Sequence, residues 1–413
     1  MTLSFKAMNN PTSPVAADNE STFVTEVITS IEGLAALEKE WATFLDQGVI
    51  ERRFAQDPAI IRNHIHLDPT RRSPLIVVFK NQNGDIKCIA PCVIETGKFK
   101  LQFSVIRLPS PKARILKIYG NALIFAPDVI QDHVIKCFFD LLTTRMNHFD
   151  YLYFDNLSVN NPLWNYIQHH FSRPSKPFLF SNASPKMEKV RFTKLPESYD
   201  AWINSMGKKK RYNMKRTTRL LQEAFNHNVK LECVTDPEQV QSFLDQLDTL
   251  YNKTWQAKSM GHWARNSAEQ LRYFTEIAKN KWLRSYLLKA DQKPIAFLVA
   301  YQYCDVLEYM ELGYDPEFSP LSPGGVLNNL LFEDLFAHNP PKILDFGFGE
   351  NQYKRVLGNA DYDACAAYLT PPGKWRFVVS LQLVLNKVYS RIHGFLVKYG
   401  WDKRVRQLLK LRN

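Results

Sequence analysis

Ser285-Tyr286-Leu287-Leu288-Lys289, the polar turn Ala290-Asp291-Gln292-Lys293-Pro294 and the apolar run Ile295 to Tyr303 form the stretch that decides the fold. Two apolar runs around such a turn predict a β-hairpin. The chain continues through Val306-Leu307-Glu308-Tyr309-Met310-Glu311-Leu312-Gly313-Tyr314, which predicts a third strand. Next comes Asp315-Pro316-Glu317-Phe318-Ser319-Pro320-Leu321-Ser322-Pro323-Gly324-Gly325, whose Pro and Gly residues mark a loop. A helix from Val326 to Ala337 and a strand Lys342-Ile343-Leu344-Asp345-Phe346 complete the series, with a further strand over Ala364 to Leu369.

Working outward, the first half has the same order with different residues. Leu75 to Lys80, the turn Asn81-Gln82-Asn83-Gly84-Asp85 and Ile86 to Val93 predict another hairpin. Helices over Val129 to Leu142 and Asn161 to Phe171 flank a buried strand, Tyr151 to Phe154. Before the hairpin lie a short strand, Phe23 to Ile28, and a helix through Ile31, Leu34, Leu37, Trp41 and Leu45. Two related mixed α/β (α+β) units are therefore expected, a structural repeat without obvious sequence identity. The divisions read as a tail over 1–20, a first domain over 21–200, a second over 201–370 and a basic helical extension over 371–413.

Composition narrows the class. Among 413 residues, 45% are apolar, 23% are charged and 16 are Gly, which excludes a disordered or collagen-like chain. No run approaches the ~18 uninterrupted apolar residues of a membrane span, and the polar N-terminus lacks the apolar core of a signal peptide. The six Cys form no Cys-x-x-Cys pair, so a reduced, cytoplasmic and metal-free protein is expected. The net charge of +12 is local. Lys208 to Arg219 holds seven cations and no acid, and Thr370 to Asn413 is net +9, which leaves the remainder at −4.

Two segments carry candidate chemistry. Ser322, Gly324, Gly325 and Val326 lie where a loop enters a helix, and a helix start with Gly at its mouth offers free N–H groups to an anion. A plain loop before a helix fits the same residues. In Asp345-Phe346-Gly347-Phe348-Gly349-Glu350-Asn351-Gln352-Tyr353-Lys354 an acid at a strand end precedes two glycines and a Tyr-Lys pair. The Asp-Phe-Gly triplet suits kinases, yet no Gly-rich strand loop or His-Arg-Asp segment lies upstream, and that class is excluded. Lys354 could hold an oxyanion or a phosphate and Tyr353 could protonate a leaving group. A strand-to-helix turn with a solvated Lys is the plain alternative.

From Trp202 to Leu369 the chain resembles the GNAT-type acyltransferases of the FemAB/CelD-like branch, also described as BioF-associated acetyltransferase domains. The resemblance rests on Lys209-Lys210-Arg211-Tyr212-Asn213-Met214-Lys215-Arg216, on Ser322-Pro323-Gly324-Gly325-Val326-Leu327 and on the segment Asp345 to Lys354. It implies tandem GNAT-like domains and an acyl donor, acyl-CoA (acetyl-CoA) in most GNAT proteins and aminoacyl-tRNA in Fem proteins. It also implies a donor site at Ser322, Gly324, Gly325, Val326 and Asn328, with the pyrophosphate at the Gly324, Gly325 and Val326 backbone amides, and a functional lysine near Lys354. The usual phosphate loop Q/R-x-x-G-x-G/A is absent, since Leu321, Ser322 and Pro323 precede Gly324.

The reaction so implied is direct attack of an amine or hydroxyl on an activated acyl carbonyl. Glu311, in mid-strand, is the expected base, with Glu308 second and on the opposite face by alternation. The acceptor would be an envelope, polysaccharide or small-molecule amine. A non-catalytic scaffold at the inner membrane is the reading from another class.

Other features weigh less. Lys208, Arg211, Lys215 and Arg219 form one basic stripe that, with Asp345, is a candidate for substrate or phosphate contact. His64-Ile65-His66 reads as two imidazoles on one face of a strand, without a third ligand. Trp255 and Trp263 fit either an acceptor pocket or ordinary packing. In the extension, Phe377, Leu381, Val384, Val388, Ile392, Phe395 and Tyr399 make a helical stripe beside Lys387, Arg391 and Lys398. A second short helix repeats the pattern with Trp401, Val405 and Leu408. Such helices either dock on their own domain or lie peripherally on an anionic membrane.

Overall fold

The computed structural model describes residues 23–49, 52–104, 106–145, 147–183, 187–254, 256–257, 267–349 and 351–398. The expected tail over 1–20, Trp255, Trp263 and the second short helix of the extension lie outside these residues. The first half runs β1 (Val24–Ile28), α1 (Ile31–Asp46), α2 (Pro58–Leu67), β2 (Arg72–Lys80), β3 (Ile86–Lys98), β4 (Gln102–Phe103), β5 (Ile106–Arg107) and β6 (Lys112–Ile118). It continues with β7 (Ile124–Phe125), α3 (Gln131–Thr144), β8 (Tyr151–Ser158), α4 (Pro162–His170), β9 (Leu179–Asn182) and β10 (Glu188–Lys194). The second half runs α5 (Tyr199–Ser205), α6 (Lys208–Ala224), β11 (Val229–Val234), α7 (Val240–Tyr251), α8 (Ala268–Lys279), β12 (Ser285–Ala290) and β13 (Lys293–Tyr303). After these come β14 (Val306–Tyr314), α9 (Pro323–Ala337), β15 (Ile343–Asp345), α10 (Gln352–Leu357), β16 (Ala360–Thr370) and α11 (Lys374–Lys398).

Local chemistry sets many of these boundaries. Ser30 caps α1 by accepting from the Gly33 N–H, and Asn161 caps α4 by accepting from the Leu163 N–H. Asp57 caps α2 by accepting from the Ala59 N–H, with Pro58 at the first helical position. His64 and His66 therefore sit on a helix and not on a strand. The His-Ile-His alternation imitates a strand period, but the cap and the inward residues Ile60, Ile61 and Ile65 follow a helical one. His64 is half-buried, with a ring nitrogen 2.6 Å from the Tyr119 hydroxyl. Burial and the Arg72 charge push its pKa down to about 4, which keeps it neutral.

Fourteen strands form one sheet in the order β1-β2-β3-β6-β8-β16-β10-β15-β14-β13-β12-β11, with β7 against β3 and β9 against β16, and β4 and β5 form a separate two-stranded sheet. Read inward from either edge, each half makes three antiparallel pairings and then one parallel pairing, β6 with β8 and β14 with β15. At the centre the halves exchange strands. β10, from the first half of the chain, pairs with β15, while β16, from the second, pairs with β8.

Helices cover both faces of each half. On one face of the first half, Leu34, Trp41 and Ile61 from α1 and α2 pack on Ile76, Val78 and Ile89. On the other, Phe138 and Leu163 from α3 and α4 pack on Val77, Phe79 and Phe154. In the second half α7 and α8 cover one face, and α5, α6 and α9 the other. Apolar side chains alternate between the two faces along β13, as buried strands require. Among the described residues no helix is long and apolar enough to cross a membrane.

Candidate active site

The parallel pair β14–β15 is short. It holds Val306 opposite Ile343, Leu307 opposite Leu344 and Glu308 opposite Asp345, and beyond that point the strands are no longer paired. Two carboxylates therefore sit side by side where the strands part.

A β-bulge decides which face the acids share. On β13, Val299 pairs with Glu311 and Ala300 with Tyr309, so Met310 is the extra residue. Glu308 lies opposite Tyr301 and Glu311 opposite Val299, and both of those residues belong to the α7/α8 face. Simple alternation put Glu308 and Glu311 on opposite faces, and the inserted residue returns them to the same one.

Glu308 is half-buried. Its pKa is pushed up to about 7, first by loss of solvent and then by the Asp345 charge. Arg53 and the Phe54 N–H, from the segment between α1 and α2, work in the opposite direction. The first half thus reaches into the second half's acid cluster. Nothing in the local sequence signals this, because the two segments lie more than 250 residues apart. Arg53 also donates to the Gly120 carbonyl at 3.0 Å, and the Tyr303 hydroxyl donates to Asp57 at 2.7 Å, fixing the same join.

On the α9 side of the parting three rings meet. Tyr309 packs edge-on against Phe346 with centroids 4.9 Å apart, and Tyr353 lies 5.9 Å from Phe346. Burial, then the nearby Glu311 charge, raises the Tyr353 pKa to about 12, so this phenol keeps its proton at neutral pH. The Tyr309 hydroxyl donates to Asn328 Oδ1, while Asn328 Nδ2 donates to the Gly324 carbonyl at 2.8 Å. The Asn328 side chain is thereby turned inward, bracing the start of α9 against β14.

Ser322 adopts a left-handed backbone at φ 51° as α9 begins. Its carbonyl accepts from the Gly325 and Val326 N–H groups at 2.9 and 3.0 Å. The Gly324 N–H, in the first turn, has no intrahelical acceptor, and this turn carries no acidic residue.

Lys354 is only 5% exposed. Its ammonium donates to the Gly347 and Phe348 carbonyls at 3.1 and 2.9 Å, folding the Gly-rich turn back over α10. Asp345 accepts from the Gly347 N–H at 2.8 Å within the same turn.

The basic helix α6 packs on α9, where Asn329 donates to the Met214 carbonyl and the Thr218 hydroxyl. Its stripe is not uniform. Arg211 is turned inward onto the carbonyls of Ile203, Asn204 and Met206, and Arg219 pairs with Glu223 at 3.5 Å. Lys208 and Lys215 are exposed. Lys210 reaches the Val356 carbonyl and so ties α6 to the Tyr353–Lys354 helix. Among the described residues no group of His, Cys, Asp or Glu is arranged to hold a metal ion.

Residues 208–355 match the family model described as an acetyltransferase (GNAT) domain. Among solved structures, FemX superposes with a TM-score of 0.53 at 10% identity, covering 81% of this chain and 96% of FemX. L-PGS from Bacillus licheniformis gives 0.46 at 12% identity, covering 84% and 96% of the two chains. A tandem GNAT protein from the clavulanic acid biosynthesis pathway gives 0.46 at 10% identity, covering 85% and 99%. No curated protein sequence matches the chain.

Proposed function

We propose that this chain, whose residues 208–355 match an acetyltransferase (GNAT) domain and whose fold is similar to that of FemX, moves an acyl group from acyl-CoA onto an amine by direct attack where β14 and β15 part. The observation that carries this reading is the Glu308–Asp345 pair at that point, with the Glu308 pKa raised to about 7. A base so tuned is half ionised near neutrality and suits removal of a proton from an attacking amine.

In this reading the donor lies on the α9 side, its pyrophosphate at the first turn of α9 near the Gly324 N–H and its acyl arm between the strands. The acceptor enters from the α7/α8 face. The amine nitrogen forms a bond to the acyl carbon, its proton passes to Glu308, and the carbon–sulfur bond breaks. Tyr353 then gives its proton to the departing thiolate. Glu311, on the same face as Glu308 and close enough to act on Tyr353 electrostatically, orients the acceptor cation and holds the phenol protonated. Lys354 fixes the Gly347–Gly349 turn as a positioning residue. The acceptor class is an envelope, polysaccharide or small-molecule amine or hydroxyl, and a cytoplasmic setting goes with an acyl-CoA donor.

A second reading keeps the fold and takes aminoacyl-tRNA. The exposed cations of α6 beside α9, Lys208, Lys209, Lys215 and Arg216, favour it. A thermal-shift titration separates the two. Stabilisation by acetyl-CoA or a longer acyl-CoA is expected, whereas stabilisation by aminoacyl-tRNA alone would overturn the CoA reading.

A further inference from the structure

Helix α11 is bound to the body by one face, and among the described residues its other face is exposed from Phe377 to Ile392. Trp375 and Val379 are buried against Phe99, Ala113 and Tyr151. The Gln382 amide pairs with the backbone of Gln102, accepting from its N–H at 2.7 Å and donating to its carbonyl at 3.0 Å. Arg376 donates to the carbonyls of Pro174, Lys176 and Thr370. The stripe found by periodicity is the opposite face from Phe377 to Phe395, and its last member, Tyr399, lies outside the described residues. Phe377 is 70% exposed and Phe395 57%, with Leu381, Val384, Val388 and Ile392 exposed between them. A monomer in water has no use for a continuous apolar row of that length.

Charge accompanies the stripe. The helix contains no Asp or Glu, and Lys387, Arg391 and Lys398 follow one flank at helical spacing. Beside it stands the β4–β5 hairpin, joined to α11 through Gln102 and through Phe103, whose ring meets Tyr389 edge-on at 6.0 Å. Under the hairpin is a hollow of about 1020 Å³ lined by Arg71, Lys98, Lys100, Arg107 and Lys112, with no acidic residue among its described lining. Ile106 at the hairpin is 51% exposed.

We propose that this face is a docking surface for an anionic phospholipid membrane. The α11 stripe lies in the bilayer interface, Lys387, Arg391 and Lys398 stay at the headgroup level, and the hollow receives a lipid phosphate. An amphipathic helix with aromatic residues on one side and cations at its margin is the form that partitions into such an interface. A second copy of the chain is the poorer occupant. A two-fold contact through the stripe sets each cationic flank close to its own duplicate without an acid on the helix to neutralise it.

The full chain is sedimented with vesicles of equal parts phosphatidylglycerol and phosphatidylcholine, and separately with phosphatidylcholine alone. Binding to the mixed vesicles only is expected. Lys98→Glu with Lys100→Glu and Arg107→Glu is expected to weaken that binding roughly 100-fold, given the usual contribution of each cation near such a surface. Phe377→Ser with Val384→Ser and Val388→Ser is expected to abolish it with the melting temperature unchanged, because all three side chains are exposed. Equal binding to both vesicles, no binding to either, or full binding by both variants would overturn the proposal. So would stabilisation by inorganic phosphate without vesicle binding, or a lipid-free dimer in sedimentation velocity that the stripe variant dissolves.

Discussion

Both halves bring two parallel strands together and then let them part, but they finish the junction differently. In the first half β6 and β8 are paired only at Ile115–Tyr151 and Leu116–Leu152. Beyond that the space is stitched shut. Lys117 lies 3.4 Å from both Asp155 and Glu95, and the Asn121 side chain accepts from the N–H groups of Asp155 and Asn156. The helix that follows carries Asp132 in its first turn, with Asp128 just ahead of it. In the second half the corresponding junction holds two neighbouring carboxylates, and its helix begins Pro323-Gly324-Gly325 without an acid. One junction is crossed by ion pairs and side-chain hydrogen bonds and sets acids at its helix start, while the other sets two carboxylates together beside a helix start that carries no acid. In the proposed reading the same architecture separates scaffold from chemistry by a handful of side chains.

The largest test of this contrast is Glu308→Gln. It is expected to lower kcat about 100- to 10,000-fold, the usual range for a lost general base, whereas Asp155→Asn in the first-half junction leaves kcat unchanged. In the parent enzyme kcat/KM should rise tenfold per pH unit below about pH 7 and level off above it, as the Glu308 carboxyl ionises. Stability runs the other way. Folding raises this pKa, so the contribution is full below the ordinary carboxyl range and is lost as pH rises towards about 7. Glu308→Gln should therefore melt higher than the parent at pH 8, and an unchanged or lower melting temperature would refute a strained carboxylate.

Next in size is Gly324→Asp, which transplants the first half's acidic helix start into the second. KM for the donor is expected to rise about tenfold with kcat largely kept, because the charge opposes the phosphate and the helix dipole no longer favours it. The smallest effect belongs to the stitched junction. Asn121 sits at φ 54°, a conformation that Gly also accepts, so Asn121→Gly removes the side-chain acceptor without backbone strain. A loss of about 1–2 kcal/mol in urea unfolding is expected, with activity per folded molecule intact.

Much of this was readable from local pattern. The hairpin over 285–303 and the strand over 306–314 appear where turn chemistry and apolar runs placed them, and α9 begins three residues before Val326 because Pro323 suits a first helical position. The Met310 bulge was not readable, since it depends on how β14 meets β13 and nothing within β14 forces it. The contribution of Arg53 and Phe54 to Glu308 was equally hidden, being a contact between distant segments. For α11, periodicity found the apolar row but not its direction. The face that docks uses Trp375, Val379 and Gln382, a mixed set chosen by the shape and bonding needs of Phe99 and Gln102.

The exchanged strands at the centre of the sheet set a schedule for synthesis. β8 is complete at Ser158, but its partner β16 ends at Thr370. At ~5–20 residues per second the nascent chain carries one bare inner edge for roughly 10–40 s. An unpaired edge of that kind invites pairing with a neighbouring chain. The first half is thus made early and sealed late, which makes slow translation or a premature stop before β16 the point at which this protein is most exposed to aggregation.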